Sequence, residues 1–134
     1  MPEKETLNRA RRKKREGKAP STQAGEFVRE EIHHIRSGKH GARSAKQAIA
    51  IGLSKARRAG VKLKPPPKGH TNKRIRHKAE RDYRLGQSDR KRKPMARRSH
   101  ATLKALKREG RGAASSEALA RQARQSARRR RALA

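Results

Sequence analysis

The sequence predicts an all-α protein: a small helical hairpin of two amphipathic helices, flanked by basic arms that are partly disordered or only conditionally helical. Three observations carry this. Over residues 21–64 the apolar residues recur at helical spacing, as they do nowhere else in the chain. Cap and stop residues bracket those two stretches. Around them, 134 residues hold 41 Lys+Arg against 11 Asp+Glu, with one Phe, one Tyr and no Trp or Cys, too little apolar surface for a large core. The expected layout is a basic arm over 1–20, the hairpin over 21–64, a Pro-rich spacer over 65–70 and a basic Ala/Arg/Lys-rich tail with weak helices over 71–134.

The N-terminal arm reads as a short helix over 6–16, stopped by Gly17 and Pro20. Leu7 is its one large apolar residue. The run Arg11-Arg12-Lys13-Lys14-Arg15 opposes the free helix by like-charge repulsion at i,i+4, and phosphate would relieve it.

The first hairpin helix starts after Ser21 or Thr22, and Ala24, Phe27, Val28, Ile32 and Ile35 share its stripe. After a loop holding Gly38 and Gly41, Ser44 and Gln47 form a capping-box pattern. Ala45, Ala48, Ile49, Gly52, Leu53 and Ala56 then follow the best periodicity of the chain. Gly60 suits a left-handed cap with Val61 folding back on Ala56, and Pro65-Pro66-Pro67 forbids continuation. The two stripes are expected to face each other, with Glu26, Glu30 and Glu31 of the first helix opposite Lys46, Lys55, Arg57 and Arg58 of the second. About five large side chains at roughly 1.5–3 kcal/mol each do not offset the ordering of some 40 residues. The hairpin therefore needs a second copy, another helix or a ligand, and Ile51 on its outer face reads either as a scattered exposed apolar residue or as a self-association contact to a second copy or helix.

The tail reads as weak helices. One spans 71–86, capped by Thr71 or Asn72, with Ile75, Ala79 and Tyr83 on one face and Gly86 as its stop. A basic linker over 87–98 contains Arg90, Lys91, Arg92 and Lys93. A further helix runs from Ser99 to Gly110. The last is capped by Ser115 or Ser116 and ends in Arg128, Arg129, Arg130 and Arg131. The sequence Lys14-Arg15-Glu16-Gly17-Lys18 is echoed by Lys107-Arg108-Glu109-Gly110-Arg111, a basic helix, a Gly stop and a new cap.

The formal net charge of +30 is unevenly spread: residues 21–41 are neutral, whereas 42–64 carry +7 and 65–134 carry +18. Such a chain attracts polyanions. No run of about 18 apolar residues crosses a membrane, no apolar N-terminal stretch marks secretion, and no Cys offers disulfides or thiolate metal sites. No nucleophile–base set, Walker loop or carboxylate pair supports an enzyme or a small-molecule substrate. No cofactor is expected. His33 and His34 are adjacent, so they point about 100° apart and do not share an ion; no metal site is expected.

What remains is nucleic acid. Arg exceeds Lys, 25 to 16, which favours forked bonds to phosphate, and the near absence of aromatics disfavours base stacking on single strands. The expected contacts are Arg11, Arg12, Lys13, Lys14, Arg15, Arg43, Lys46, Lys55, Arg57, Arg58, Arg90, Lys91, Arg92, Lys93, Arg128, Arg129, Arg130 and Arg131. A helix-turn-helix reading would put Ser44, Lys46 and Gln47 at base edges, but the loop from Ser37 to Arg43 is longer than the usual turn.

Gly25-Glu26-Phe27-Val28-Arg29-Glu30-Glu31, and above all Lys46-Gln47-Ala48-Ile49-Ala50-Ile51-Gly52-Leu53-Ser54-Lys55-Ala56-Arg57, resemble a family of small, highly basic bacterial proteins of unknown function. The resemblance covers about residues 20–67 and implies a bacterial cytoplasmic setting, with no activity or binding residues attached. The tail is similar in composition to bacterial histone-H1-like proteins. The expected function is non-specific duplex DNA binding in the nucleoid, with RNA or ribosome binding, or a protein-interaction module with localising arms, as alternatives.

Overall fold

The computed structural model describes residues 2–88 and 96–133. Six α-helices follow one another: α1 (Lys4–Arg15), α2 (Pro20–Arg36), α3 (Ala45–Arg58), α4 (Lys73–Gln87), α5 (Ala96–Lys107) and α6 (Ser116–Leu133), with a 3-10 turn at Gly112–Ala114. No strand occurs among the described residues, so the protein is all-α. None of these helices is long and apolar enough to cross a membrane. The chain divides into two compact units, Met1–Glu30 with Ala50–Arg92, and Glu31–Ile49 with Lys93–Ala134. Both α2 and α3 contribute a segment to each.

Local signals set most boundaries. Ser44 Oγ accepts from the Gln47 N–H at 3.1 Å, and Gln47 Oε1 accepts from the Arg43 N–H at 2.6 Å, so the expected capping box forms with its return bond one residue early. Asn72 caps α4 by accepting from the Ile75 N–H at 2.9 Å. Ser115 caps α6 through the Ala118 N–H at 3.1 Å. At the end of α3, Gly60 takes a φ of 101°, and Val61 N–H returns to the Ala56 carbonyl at 3.1 Å. Glycines 17 and 38 close α1 and α2 the same way. The α2 start differs from expectation. Pro20 is its first residue and the Ala19 carbonyl accepts from Thr22 and Gln23, which puts Ser21 and Thr22 inside the helix. Proline's fixed φ fits that first position, and its missing N–H would have had no helical partner there.

In the first unit the core is Ala10, Ala24, Phe27, Ala56 and Val61, with Leu7, Leu53, Ala59 and Leu63 packed on it. Gly52 lies so close to the Val28 backbone that no Cβ fits. Contrary to the expected conditional arm, α1 is docked: Thr6 and Ala10 are buried and Leu7 joins the core. These small residues make a face that a count of large apolar side chains overlooks. Gly86 does not stop α4. It sits inside the helix, where a Cβ would collide with the Arg57 carbonyl. Gln87 Nε2 adds a bond to the Gly60 carbonyl at 3.0 Å. The buried face of α4 therefore runs through Ala79 and Asp82 rather than Ile75, which is 46% exposed.

The second unit has a smaller core of Ile35, Ala42, Ala48 and Ala114, with Ile32 and Ala113 against it. Main-chain bonds supplement it. Gly41 N–H donates to the Leu106 carbonyl at 2.8 Å and Ala42 N–H to the Gly110 carbonyl at 3.1 Å. Arg36 Nε donates to the Ala114 carbonyl at 2.8 Å. No residue of α5 or α6 is fully buried. The sequence echo ends one helix in each unit, but only Gly17 is left-handed; Gly110 is not.

Candidate nucleic-acid interface

Four carboxylates turn inward. Glu26, Glu30, Glu31 and Asp82 are all at most 6% exposed. Glu26 receives Arg9 Nε at 2.9 Å and Lys13 Nζ at 2.8 Å. Burial pushes its carboxyl up, but the hydrogen bonds and charges of Lys13 and Arg9 outweigh that and hold it below the ordinary carboxylate value. Glu30 Oε1 accepts from the Glu3 N–H at 2.6 Å. Asp82 Oδ2 accepts from Ser54 Oγ at 2.6 Å, with Arg58 Nε 3.8 Å from Oδ1. Glu31 Oε2 lies 3.1 Å from His40 Nε2. The expected pairing of α2 acids with α3 bases is thus replaced at Glu26 by α1, a helix too polar in sequence to look like a packing partner.

The cations mostly face outward. On α1, Arg11, Arg12, Lys14 and Arg15 are exposed, while Lys13 is half-buried on Glu26. Arg43 and Lys46 are exposed around the start of α3, and Arg128, Arg129, Arg130 and Arg131 are exposed near the end of α6. Lys55 is half-buried. Arg58 is exposed beside Asp82.

Arg57 differs. It is buried, and it donates through Nε to the Leu63 carbonyl at 3.1 Å and through a terminal nitrogen to the Lys64 carbonyl at 3.4 Å. Burial pushes its guanidinium below the ordinary value, against the opposing charge of Asp82. It ties the chain after α3 rather than facing phosphate. Ile51 is half-buried instead of standing on an open face. Arg90, Lys91, Arg92 and Lys93 lie outside the described residues.

Sequence reasoning missed the groupings that folding creates. In the second unit Arg43 and Ser44 share a cavity of about 310 Å³ with Arg121, Gln122 and Gln125. Lys39, Lys107 and Arg111 line an open groove of about 710 Å³ along with Gly38, Gly41 and Gly110. In the first unit Lys73, Arg74, Lys78, Arg81 and Arg84 are all exposed on α4. The signal for α4 was its charge density; for the two hollows no local signal exists, because their residues lie far apart in sequence.

Base reading has little to work with. Phe27 is 1% exposed and Tyr83 half-buried, which leaves no open aromatic for stacking. Ser44 and Gln47 are occupied by the α3 cap, so of the helix-turn-helix trio only Lys46 is free of that role. His34 and His40, not the adjacent His33, come together, their ring centroids 6.1 Å apart.

A family of unknown function (DUF6496) matches residues 21–69. The matched stretch holds α2, α3, the turn at Gly60 and the proline run, and stops before α4. No curated protein and no solved structure matches the chain.

Proposed function

We propose that the protein binds duplex nucleic acid, DNA in preference to RNA, by neutralising phosphates without reading sequence, and so bridges or compacts it in a nucleoid-associated role. The observation that carries this reading is the sorting of charge. Among the described residues, four of ten carboxylates are buried while most Arg and Lys side chains stand in solvent, so the surface is more positive than the composition alone implies. Affinity then comes from counterion release and falls steeply with salt. The buried Phe27 and the occupied cap of α3 support backbone contact over base contact.

The test is binding of the full chain to duplex DNA, duplex RNA and single-stranded DNA of equal length across a salt series. Duplex DNA should bind tightest, with little dependence on sequence. Each phosphate contact contributes a slope of about 0.9 in log–log form. Replacing Arg128, Arg129, Arg130 and Arg131 together by Gln should lower that slope by about 3 to 4. Tighter binding to RNA would turn the reading to the RNA alternative, and an unchanged slope would remove the end of α6 from the interface.

A further inference from the structure

We propose that Glu31, His34 and His40 form a binding site for one divalent transition cation of the Zn²⁺ type. Glu31 and His34 stand three residues apart on the last turns of α2, on one face of the helix. The chain turns back at left-handed Gly38, which returns His40 to that face. One ligand atom from each of the three lies within 4.8 Å of the others, and His40 Nε2 is already 3.1 Å from Glu31 Oε2. Bonds of 2.0–2.2 Å around a tetrahedral Zn²⁺ separate ligand atoms by about 3.4 Å. His34 therefore has at most about 1.4 Å to close, and its half-buried side chain has a solvent side from which to do so.

The surroundings of His40 fit a ligand. Its Nδ1 is 2.9 Å from the Gly41 carbonyl, the kind of second bond that orients a metal-ligating imidazole. Gly41 is itself held by its N–H bond to the Leu106 carbonyl. Both ring nitrogens thus face an oxygen acceptor, and a neutral imidazole has one N–H to share between them. A cation between Nε2 and Glu31 would leave Nδ1–H for the Gly41 carbonyl. With three protein ligands, a fourth position stays open to water. The site also lies in residues 21–41, the one window with no net charge. Lys39, Lys107 and Arg111 line the groove that includes His40. Their repulsion is screened by salt, so cation affinity should hold or rise with ionic strength, opposite to nucleic-acid affinity.

The test is titration of the full chain, free of nucleic acid, with Co²⁺ read by its visible d–d absorption and with Zn²⁺ read by calorimetry. One equivalent should bind. Because Glu31 and His40 are buried, their variants risk unfolding, so half-buried His34 decides. His34→Ala, with helicity checked by circular dichroism, should weaken binding about tenfold or more, while His33→Ala on the exposed neighbour leaves it unchanged. Wild-type affinity in His34→Ala, an equal loss in His33→Ala, or no stoichiometric binding would each overturn the site.

Discussion

The unit built from Met1–Glu30 and Ala50–Arg92 and the unit built from Glu31–Ile49 and Lys93–Ala134 solve the same shortage of apolar residues differently. The first buries Phe27 among small apolar residues and uses buried carboxylates to clamp neighbouring helices, Glu26 to α1 and Asp82 to α3. The second has an alanine-rich core around Ile35 and holds α5 and its following turn through main-chain bonds to Gly41 and Ala42. Both exploit a glycine where one backbone meets another: Gly86 against the Arg57 carbonyl in the first, Gly41 against the Glu109 carbonyl in the second. A chain of net charge +30 can thus pack helices with few large side chains, provided backbones approach closely and buried acids offset local charge. The second unit, with α5 and α6 burying no residue fully, should open at lower free energy and gain more order from a bound polyanion.

The largest expected effects fall on those glycines. Gly86→Val forces a side chain into the Arg57 carbonyl and should cost about 3 kcal/mol, in the upper range of overpacking. Hydrogen exchange should quicken across α4 while α6 stays as it was. Gly41→Val should do the reverse, loosening α5 and α6 and sparing α4. If either variant loosened both sets of amides, the two units would be one cooperative body, and the comparison would fail.

Next comes Arg57→Ala. It removes a buried guanidinium and leaves the Leu63 and Lys64 carbonyls without that donor, an expected loss of about 2–3 kcal/mol in the first unit. The salt slope for DNA should change by less than about 1, since no phosphate contact is removed. Arg58→Ala next to it should cost under about 1 kcal/mol, because Arg58 is exposed and 3.8 Å from an Asp82 that Ser54 also holds. A large slope change in the Arg57 variant would return it to the interface.

These two arginines show what the sequence could tell. The stripes of α2 and α3, the caps at Ser44, Asn72 and Ser115, and the Gly60–Val61 turn were legible, because each depends on neighbours within about five residues. Arg57 and Arg58 are the same letter, and only the packing of α4 and the path after Gly60 decide which is enclosed. Gly86 looked like a stop because a helix end and a close contact use the same residue. Thr6 and Ala10 looked inert, since a buried small side chain adds little to any hydrophobic count. The cavity shared by Arg43 and Arg121 and the meeting of Glu31 with His40 depend on chain reversals and remote partners that have no local signature.

Glu26→Gln tests the charge clamp of the first unit alone. Gln keeps the shape but loses the charge that holds Arg9 and Lys13, both partly exposed and able to resolvate, so about 1–2 kcal/mol is expected. The same contact sets an acid limit. Because the folded carboxyl is held below its ordinary value of 4.5, its stabilisation is present above that pH and is lost as the pH falls through the lower folded value. Exchange at the α1 amides should quicken below about pH 4.5 in the native chain, and Glu26→Gln should flatten that dependence. An unchanged pH profile in the variant would move the acid sensitivity to another carboxylate.

The smallest effect is expected in the second unit, at Ser115. Its Oγ satisfies the Ala118 N–H, and its carbonyl accepts from the Leu119 N–H at the start of α6. Ser115→Ala removes only the side-chain bond, worth about 1 kcal/mol. Because α6 buries no residue fully, little packing compensates, so that loss should appear as fraying of the first turn rather than as global unfolding. Circular dichroism should show a small drop in helicity for the free protein, and saturating duplex DNA should restore it, since phosphates along Arg128, Arg129, Arg130 and Arg131 would favour the helix. If DNA failed to restore it, α6 would not order on the polyanion, and the greater gain assigned to the second unit would be wrong.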